Sequence, residues 1–480
     1  MLRRSNVHHP LSLRRVHSFA SLKGREGRLA PCYDAGALPL AHGRLVIIPD
    51  SAQTPHPRIF FGWWIVAGTW GLQAIQGSLL FLSFGAYFTQ LEATFGWSRT
   101  ALSGAFSLSR VESGLLGPLH GYWVDRYGPR LVLQVGTVIF GIGFFMLSRI
   151  DTLWQFYVAF LVIAIGASLA GFLTLNTALA NWFIRRRARA MSIAQTGLGA
   201  AGIFAVGVAW LLETYGWRTT FVIAGVLILV IGLPLSTLFH HRPEDVGLLP
   251  DGRLPEDDLR QVGDNTATRY LSDEVDFTLR EAMRDRSFWF ISLGHGAALF
   301  VVAGLQAHLV LHLQDLGWTL TGAAAIIPLL TLTSVVGQLA AGAFGDRYSK
   351  RMIAAVAMLG HAAAMFLLSF SDASPAIVAA AIVHGLAWGA RGPLMTAIRA
   401  EYYGRRNFAK IMGTSSLIVQ LGTVIGPLFA GYVFDQTGSY QLAFLTLGSL
   451  TGASSIFFVL ARRPALPQRL RAAAEARELT

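Results

Sequence analysis

Apolar residues in this chain come in runs of about 20, the length that crosses a hydrocarbon core as a helix. Twelve such runs can be read, at roughly 61–88, 99–122, 131–149, 154–182, 190–213, 217–239, 288–312, 319–343, 352–370, 375–399, 409–434 and 440–461. Each is expected to be an α-helix, because only a helix satisfies its own backbone hydrogen bonds within one lipid-exposed segment. The polar stretches between them are short, with one exception. Residues 240–287 form a long loop with Pro243, Pro250 and Pro255 and a mixed-charge stretch from Glu256 to Arg286. Its place at the middle of the chain reads as a linker between two six-span halves. Within it, Phe277–Arg286 has the pattern of a short amphipathic helix on a membrane surface.

The expected organisation follows from this pattern. Residues 1–58 are a basic tail, read as disordered; 59–239 are a first six-helix bundle; 240–287 are the linker; 288–462 are a second bundle; 463–480 are a tail. The fold class is an all-α polytopic membrane protein of twelve transmembrane helices in two pseudo-symmetric six-helix bundles. The first tail is rich in Ser and Arg, with no acidic residue before Glu26. That composition also suits a mitochondrial transit peptide or a wrongly chosen start codon, so the tail's place in the mature protein stays open. It lacks the apolar run of a secretory signal.

The two halves share a motif. Gly96-Trp97 and Gly121, Asp125, Arg126, Tyr127 and Arg130 recur 221 positions later as Gly317-Trp318 and Gly342, Asp346, Arg347, Tyr348 and Arg351. Met191 recurs as Met412 at the same offset, after an Arg-rich turn in each half. One position departs, Ser349 standing where the first copy has Gly128. A repeated plan of this kind suits a machine with two parts that move against each other.

Composition adds to this picture. The chain is 53% hydrophobic and 14% charged, against about 25% charge in soluble domains. Its formal charge of +12 is a topology signal. Arg126 and Arg130, Arg185–Arg187 and Arg189, Arg347, Lys350 and Arg351, and Arg405, Arg406 and Lys410 fall on one side of the spans, with both tails and the linker. The other side has only Arg99, Arg149 and Arg218. The positive-inside rule makes the basic side cytoplasmic, so both termini are expected there and nucleic acid is excluded as a partner. The expected location is the cell (inner) membrane, multi-pass, with the mitochondrial inner membrane as the alternative. A single cysteine, Cys32, excludes a disulfide framework and a thiolate metal site. No Walker, HExxH or GxSxG pattern occurs, so neither direct ATP drive nor an enzyme is expected, and no cofactor or metal. Gly197, Gly199 and Gly202 match a dinucleotide fingerprint in spacing but lie inside a span with no preceding strand.

The run Gly121-x-x-x-Asp125-Arg126-x-Gly128-x-Arg130 resembles the loop motif of the major facilitator superfamily, and its degenerate recurrence in the second half strengthens the likeness. The resemblance implies transport by alternating access and a cytoplasmic latch in which the Asp holds the halves together. Asp125 has two candidate partners, Arg130 and the positive N-terminus of a neighbouring helix. Four further stretches look like bacterial relatives of the monocarboxylate transporters and oxalate–formate antiporters. They are Phe61-Gly62-Trp63-Trp64, Ser107–Gly114, Trp182–Met191 with its Arg185-Arg186-Arg187 core, and Arg242–Gly252. That likeness implies a small organic acid as substrate, moved with a proton or in exchange; the expected state is a monomer in the lipid bilayer.

Charges inside the spans are the candidate chemistry. Arg110 in the second span and Arg391 in the tenth have no aqueous home, and a mid-membrane Arg costs about 2.5–3.5 kcal/mol on insertion scales. Either can hold a substrate carboxylate bidentately; the structural alternative is a buried ion pair. Glu112 is the carboxylate at comparable depth, about 200° round the helix from Arg110. It is the candidate proton carrier, with a permanent ion pair as the alternative. Gln73, Gln76, Asn176 and His295 lie in spans one, four and seven, which in the resembled superfamily line a central cavity together with span ten. They complete the candidate substrate site, against the alternative of ordinary interhelical hydrogen bonding. His384 shares a face with Arg391, and His308 is a further histidine within a span. Efflux of hydrophobic drugs or metabolites is the competing transport function, favoured by acidic and aromatic linings; a non-transporting membrane sensor is the competing class.

Overall fold

The computed structural model describes residues 59–246, 248–252, 275–319, 322–323 and 325–469, and a short antiparallel strand pair, Ala37–Pro39 with Leu45–Ile47. The rest of the 1–58 tail, most of the linker and the end of the second tail lie outside the described residues. The helices belong to one compact unit, His56–Thr480.

The first span is α1 (Gly62–Gln76), a π turn (Gly77–Leu82) and α2 (Phe84–Phe95). A π turn leaves carbonyls poorly matched to their usual donors. Here side chains take over, the Ser83 hydroxyl donating to the Ser78 carbonyl at 2.6 Å and the Tyr87 hydroxyl to the Leu79 carbonyl at 3.0 Å. The second and third spans are α3 (Arg99–Tyr127), started by Ser98 as N-cap, and α4 (Pro129–Leu147). Gly128 turns the chain between them at φ 83°, a left-handed value that glycine tolerates. Ser349, at the equivalent position of the second copy, makes its turn at φ −62°, so the two copies reach the same place by different backbones.

The fourth span is interrupted. α5 (Leu153–Leu169) starts on a Thr152–Gln155 capping box and stops at Ala170, and α6 (Phe172–Trp182) resumes after Gly171. The fifth and sixth spans form α7 (Arg187–Ser236), bent at Gly216, whose φ is 72° and ψ 169°. α8 (Leu279–Arg284), capped by Thr278 and Glu281, occupies the stretch expected to be a short helix. The second half follows as α9 (Arg286–Asp315), α10 (Ile326–Gly345), α11 (Lys350–Phe370), α12 (Ser374–Tyr403), α13 (Phe408–Thr437) and α14 (Gln441–Leu460). Among the described residues helices lie at all twelve places that the apolar runs indicate, and ten of them, with α7 covering two runs, are long and apolar enough to cross a membrane. What the runs did not show is where helices break: a π turn and a mid-span interruption leave hydropathy unchanged.

Packing follows membrane rules. Val206, Phe370 and Leu428 are 70%, 69% and 67% exposed, as residues facing lipid should be. Inside, Tyr87, Phe140, Phe144, Phe156, Phe160 and Phe221 build one aromatic core in the first half. Val301, Leu305, Leu309, Met365, Phe444 and Leu447 build another in the second. A third cluster joins the halves, setting Trp182, Phe183 and Phe239 with Ala397, Ala400, Phe408 and Met412.

Candidate functional site

The repeated motif copies lie at one end of the bundle, the basic end, where each hooks the opposite half. Asp125, on α3, accepts from the backbone N–H of Ala409 at 3.2 Å and Lys410 at 3.0 Å, in the first turn of α13. Asp346, just past α10, accepts from the N–H of Ala188 at 2.9 Å and Arg189 at 3.2 Å, in the first turn of α7. Each carboxylate thus satisfies orphan donors and faces the positive end of a helix dipole. Of the two partners considered for Asp125, the helix N-terminus is the one present. Burial holds the Asp346 carboxyl above the usual carboxylate range, against the hydrogen bonds from Ala188 and Arg189.

The other motif residues serve the same contact. Gly121 lies against the backbone of Ala409 and Lys410, and Gly342 against Ser192 and Arg189. One turn inward, a Cβ on Gly117 would stand 3.0 Å from the Gly413 carbonyl, so α3 and α13 cross backbone to backbone. Arg126, Arg130 and Arg347 are exposed, while Arg351 donates to the Val459 carbonyl at 2.9 Å.

Two aspartates that the motif reading missed complete this end. Asp251 accepts from the N–H of Ile184, Arg185 and Arg186 at 3.0, 2.8 and 3.3 Å. Asp276 accepts from the N–H of Arg405 and Arg406, both at 3.0 Å. Glu244 pairs with Arg405, whose Nη1 also donates to the Asn181 carbonyl at 3.0 Å. The described ends of the linker are therefore stapled to the Arg-rich turns that precede α7 and α13. Their signal was available: Asp251 lies in the Arg242–Gly252 stretch, but nothing local says which amides it caps.

The span interior holds a second set of polar groups. Arg391, on α12, is 1% exposed, and its Nε and Nη1 have no hydrogen-bond partner. Arg399, two turns further on, is equally buried. Its Nη1 donates to the Met395 carbonyl at 2.9 Å, and its Nη2 donates to Ser415 Oγ at 2.7 Å and lies 3.4 Å from His295 Nδ1. Among the described residues no Asp or Glu pairs with either guanidinium. Arg399 closes the predicted tenth span, where a basic residue is ordinary, so its position carries no signal in the sequence; α12 runs on to Tyr403 and encloses it.

The remaining candidates divide between ligand-ready and satisfied atoms. Gln76 is committed, its Nε2 donating to the Ala170 carbonyl at 2.9 Å, where the fourth span breaks. Asn176 Nδ2 donates to the Phe172 carbonyl at 2.8 Å, but its Oδ1 is buried without a partner, as is Gln73 Nε2. His308 is held on both nitrogens, by the Tyr440 hydroxyl and the Pro427 carbonyl, each at 3.0 Å. His384 pairs with His361, Nδ1 to Nδ1 at 3.1 Å. Glu112, 6% exposed, accepts from Ser113 Oγ at 3.0 Å and has His120 at 3.9 Å, not an Arg of another helix. The side chain of Arg110 lies outside the described part of the structure.

Two six-span halves, hooked to each other at one end and carrying buried polar groups in their spans, define a secondary transporter. The chain belongs to the Major Facilitator Superfamily, whose sequence model matches residues 59–336 and 309–479. It is 27% identical to monocarboxylate transporter 13 of Rattus norvegicus over 84% of this chain and 89% of that protein. It is 25% identical to the MFS-type transporter YhjX of Escherichia coli over 76% of this chain and 86% of that one. Its fold is similar to that of the human organic anion transporter MFSD10, with TM-score 0.62 and 17% identity over 85% of this chain and all of that one. The Escherichia coli fucose–proton symporter FucP gives TM-score 0.63 and 14% identity over 84% and 98%. The chain is a multi-pass membrane transporter and not an enzyme.

Proposed function

We propose that this transporter moves a small organic anion, of the monocarboxylate kind, across the cell membrane by alternating access, in symport with a proton or in exchange. The observation that carries this is Arg391: a guanidinium 1% exposed, two of its nitrogens unpartnered, and no acidic residue among the described ones paired with it. A buried cation in that condition calls for an anion, and a carboxylate fits its fork bidentately. Asn176 Oδ1 and Gln73 Nε2 are the further unpartnered groups offered to the substrate, Arg399 a second cation with His295 beside it, and Glu112 the carrier of the coupled proton. Gln76 supports the site indirectly, through Ala170. The names of the relatives, monocarboxylate transporter and organic anion transporter, agree with this reading.

The basic end faces the cytoplasm in this proposal, by the positive-inside rule. The hooks of Asp125 and Asp346 then close the cytoplasmic side. Uptake of labelled C2–C6 monocarboxylates into proteoliposomes tests the proposal. Arg391→Ala should abolish saturable uptake, and Arg391→Lys should raise KM by about tenfold or more through loss of the bidentate fork. Unchanged uptake in Arg391→Ala would refute it.

A further inference from the structure

Glu112 and His120 stand eight residues apart on α3, about 12 Å along the helix axis, yet their side chains reach towards each other. Glu112 Oε1 and His120 Nε2 are 3.9 Å apart, and both atoms are buried with no hydrogen-bond partner. Their outer atoms are held: Glu112 Oε2 by Ser113 Oγ at 3.0 Å, His120 Nδ1 by Ser168 Oγ at 3.1 Å on α5. Two unpaired polar atoms of complementary chemistry, enclosed together, are costly as they stand. A proton placed between them makes one a donor and the other an acceptor.

No other charge competes for the pair among the described residues. α13 brings Gln420 near Gly114; its ionisable groups are Lys410 at the basic end, over the Tyr122 ring at 5.0 Å, and Tyr432 and Asp435 at the far end. α5 brings Tyr157, bonded to the Ala101 carbonyl, and α6 brings no ionisable group. α4 brings Arg130, exposed at the basic end; α2 brings Tyr87, bonded to Leu79, and Glu92. On α3 itself, Asp125 is committed to α13 and Arg126 is exposed.

We propose that Glu112 and His120 form one proton-binding site and that the proton they share is the one coupled to transport. With no proton added, the pair is a carboxylate and a neutral imidazole, net negative in a low-dielectric interior. Taking up one proton makes it neutral overall, as a carboxylic acid beside a neutral imidazole, the form that separates no charge in the low-dielectric interior. Only the bond to that proton forms or breaks. His120 adjoins Gly121, which packs on Ala409 and Lys410. Parting α3 from α13 at the basic end therefore brings water to the imidazole first and gives the proton its exit. Ser168 positions the imidazole by fixing its Nδ1.

This inference rests on the transport reading above, and its test separates the two. Infrared difference spectra of the full-length protein in lipid, taken across a pH jump, read a buried carboxyl directly and need no substrate. The expected result is a carboxylic-acid C=O band that is lost in Glu112→Gln and whose pH midpoint moves by about one unit in His120→Gln, a tenfold change in proton affinity. Ser168→Ala should move it less. In proteoliposomes, Glu112→Gln should lose proton-driven accumulation of the acid and keep exchange of external for internal acid. Arg391→Ala should lose both and keep the band. No band in the wild type, or a band unmoved by His120→Gln, overturns the proton site while leaving the anion site standing. A band present with Arg391→Ala still transporting overturns the anion site alone.

Discussion

Ala170 and Arg391 occupy equivalent positions of the repeat, and the chain uses them in opposite ways. At Ala170 the fourth span breaks, and the freed carbonyl takes a hydrogen bond from Gln76 at 2.9 Å. At Arg391 the tenth span continues unbroken and buries a guanidinium. Both are polar disturbances at mid-span, one of the backbone and one of a side chain. Among the described residues, only the first is answered by a side chain of the protein.

Gln76→Leu removes that answer and leaves a buried carbonyl one donor short. The expected cost is about 1–2 kcal/mol of stability, read as a lower Tm in detergent. Gln76→Glu offers acceptors in place of the donor and should cost more. A Tm unchanged in both would mean that the break is satisfied otherwise.

The hooks at the basic end should set the conformational balance. Asp125→Ala and Asp346→Ala each free two backbone donors at a helix N-terminus. Each should disfavour the closed basic end by about 1 kcal/mol through the lost hydrogen bonds, a several-fold shift in population. Spin labels placed across α3–α13 and across α7–α10 measure it, and distances unaltered in both variants would contradict the latch.

Asp346 also gives the closed state a pH dependence. Its pKa is raised in the closed state, first by burial, and on opening it returns to water and the ordinary range near about 3.9. Closing therefore takes up a proton. The added stability of the closed form is fully present below the ordinary pKa and is lost as pH rises through the raised one. The same labels should show more closed population on acidification, and Asp346→Asn should remove this part of the dependence. A closed population that grows with pH in the wild type and falls flat in Asp346→Asn would reverse the sign and sink the argument.

Glu244 and Arg405 connect the linker to the second half with side chains 25% and 12% exposed. A double-mutant cycle of Glu244→Gln and Arg405→Gln, read in the closed fraction, should give a coupling of about 1 kcal/mol, the upper end for a partly exposed pair. Coupling near zero would make the contact incidental.

The sequence by itself determined the twelve spans, their repeat and the motif aspartates, because hydropathy and a repeated spacing are local properties that lipid enforces on any chain. It also pointed to Arg391 and Glu112, since a charge in an apolar run is visible without coordinates. The tertiary structure alone decided their partners. Asp125 and Ala409 are 284 positions apart, and the approach of α3 to α13 at Gly117 and Gly413 is what brings that carboxylate to those amides. His120 became the partner of Glu112 through rotamers along one helix, and Arg399 became interior because α12 outlasts its apolar run. Apolar periodicity fixes which segments enter the membrane. Which polar atoms meet there depends on how the helices cross, and no one span contains that information.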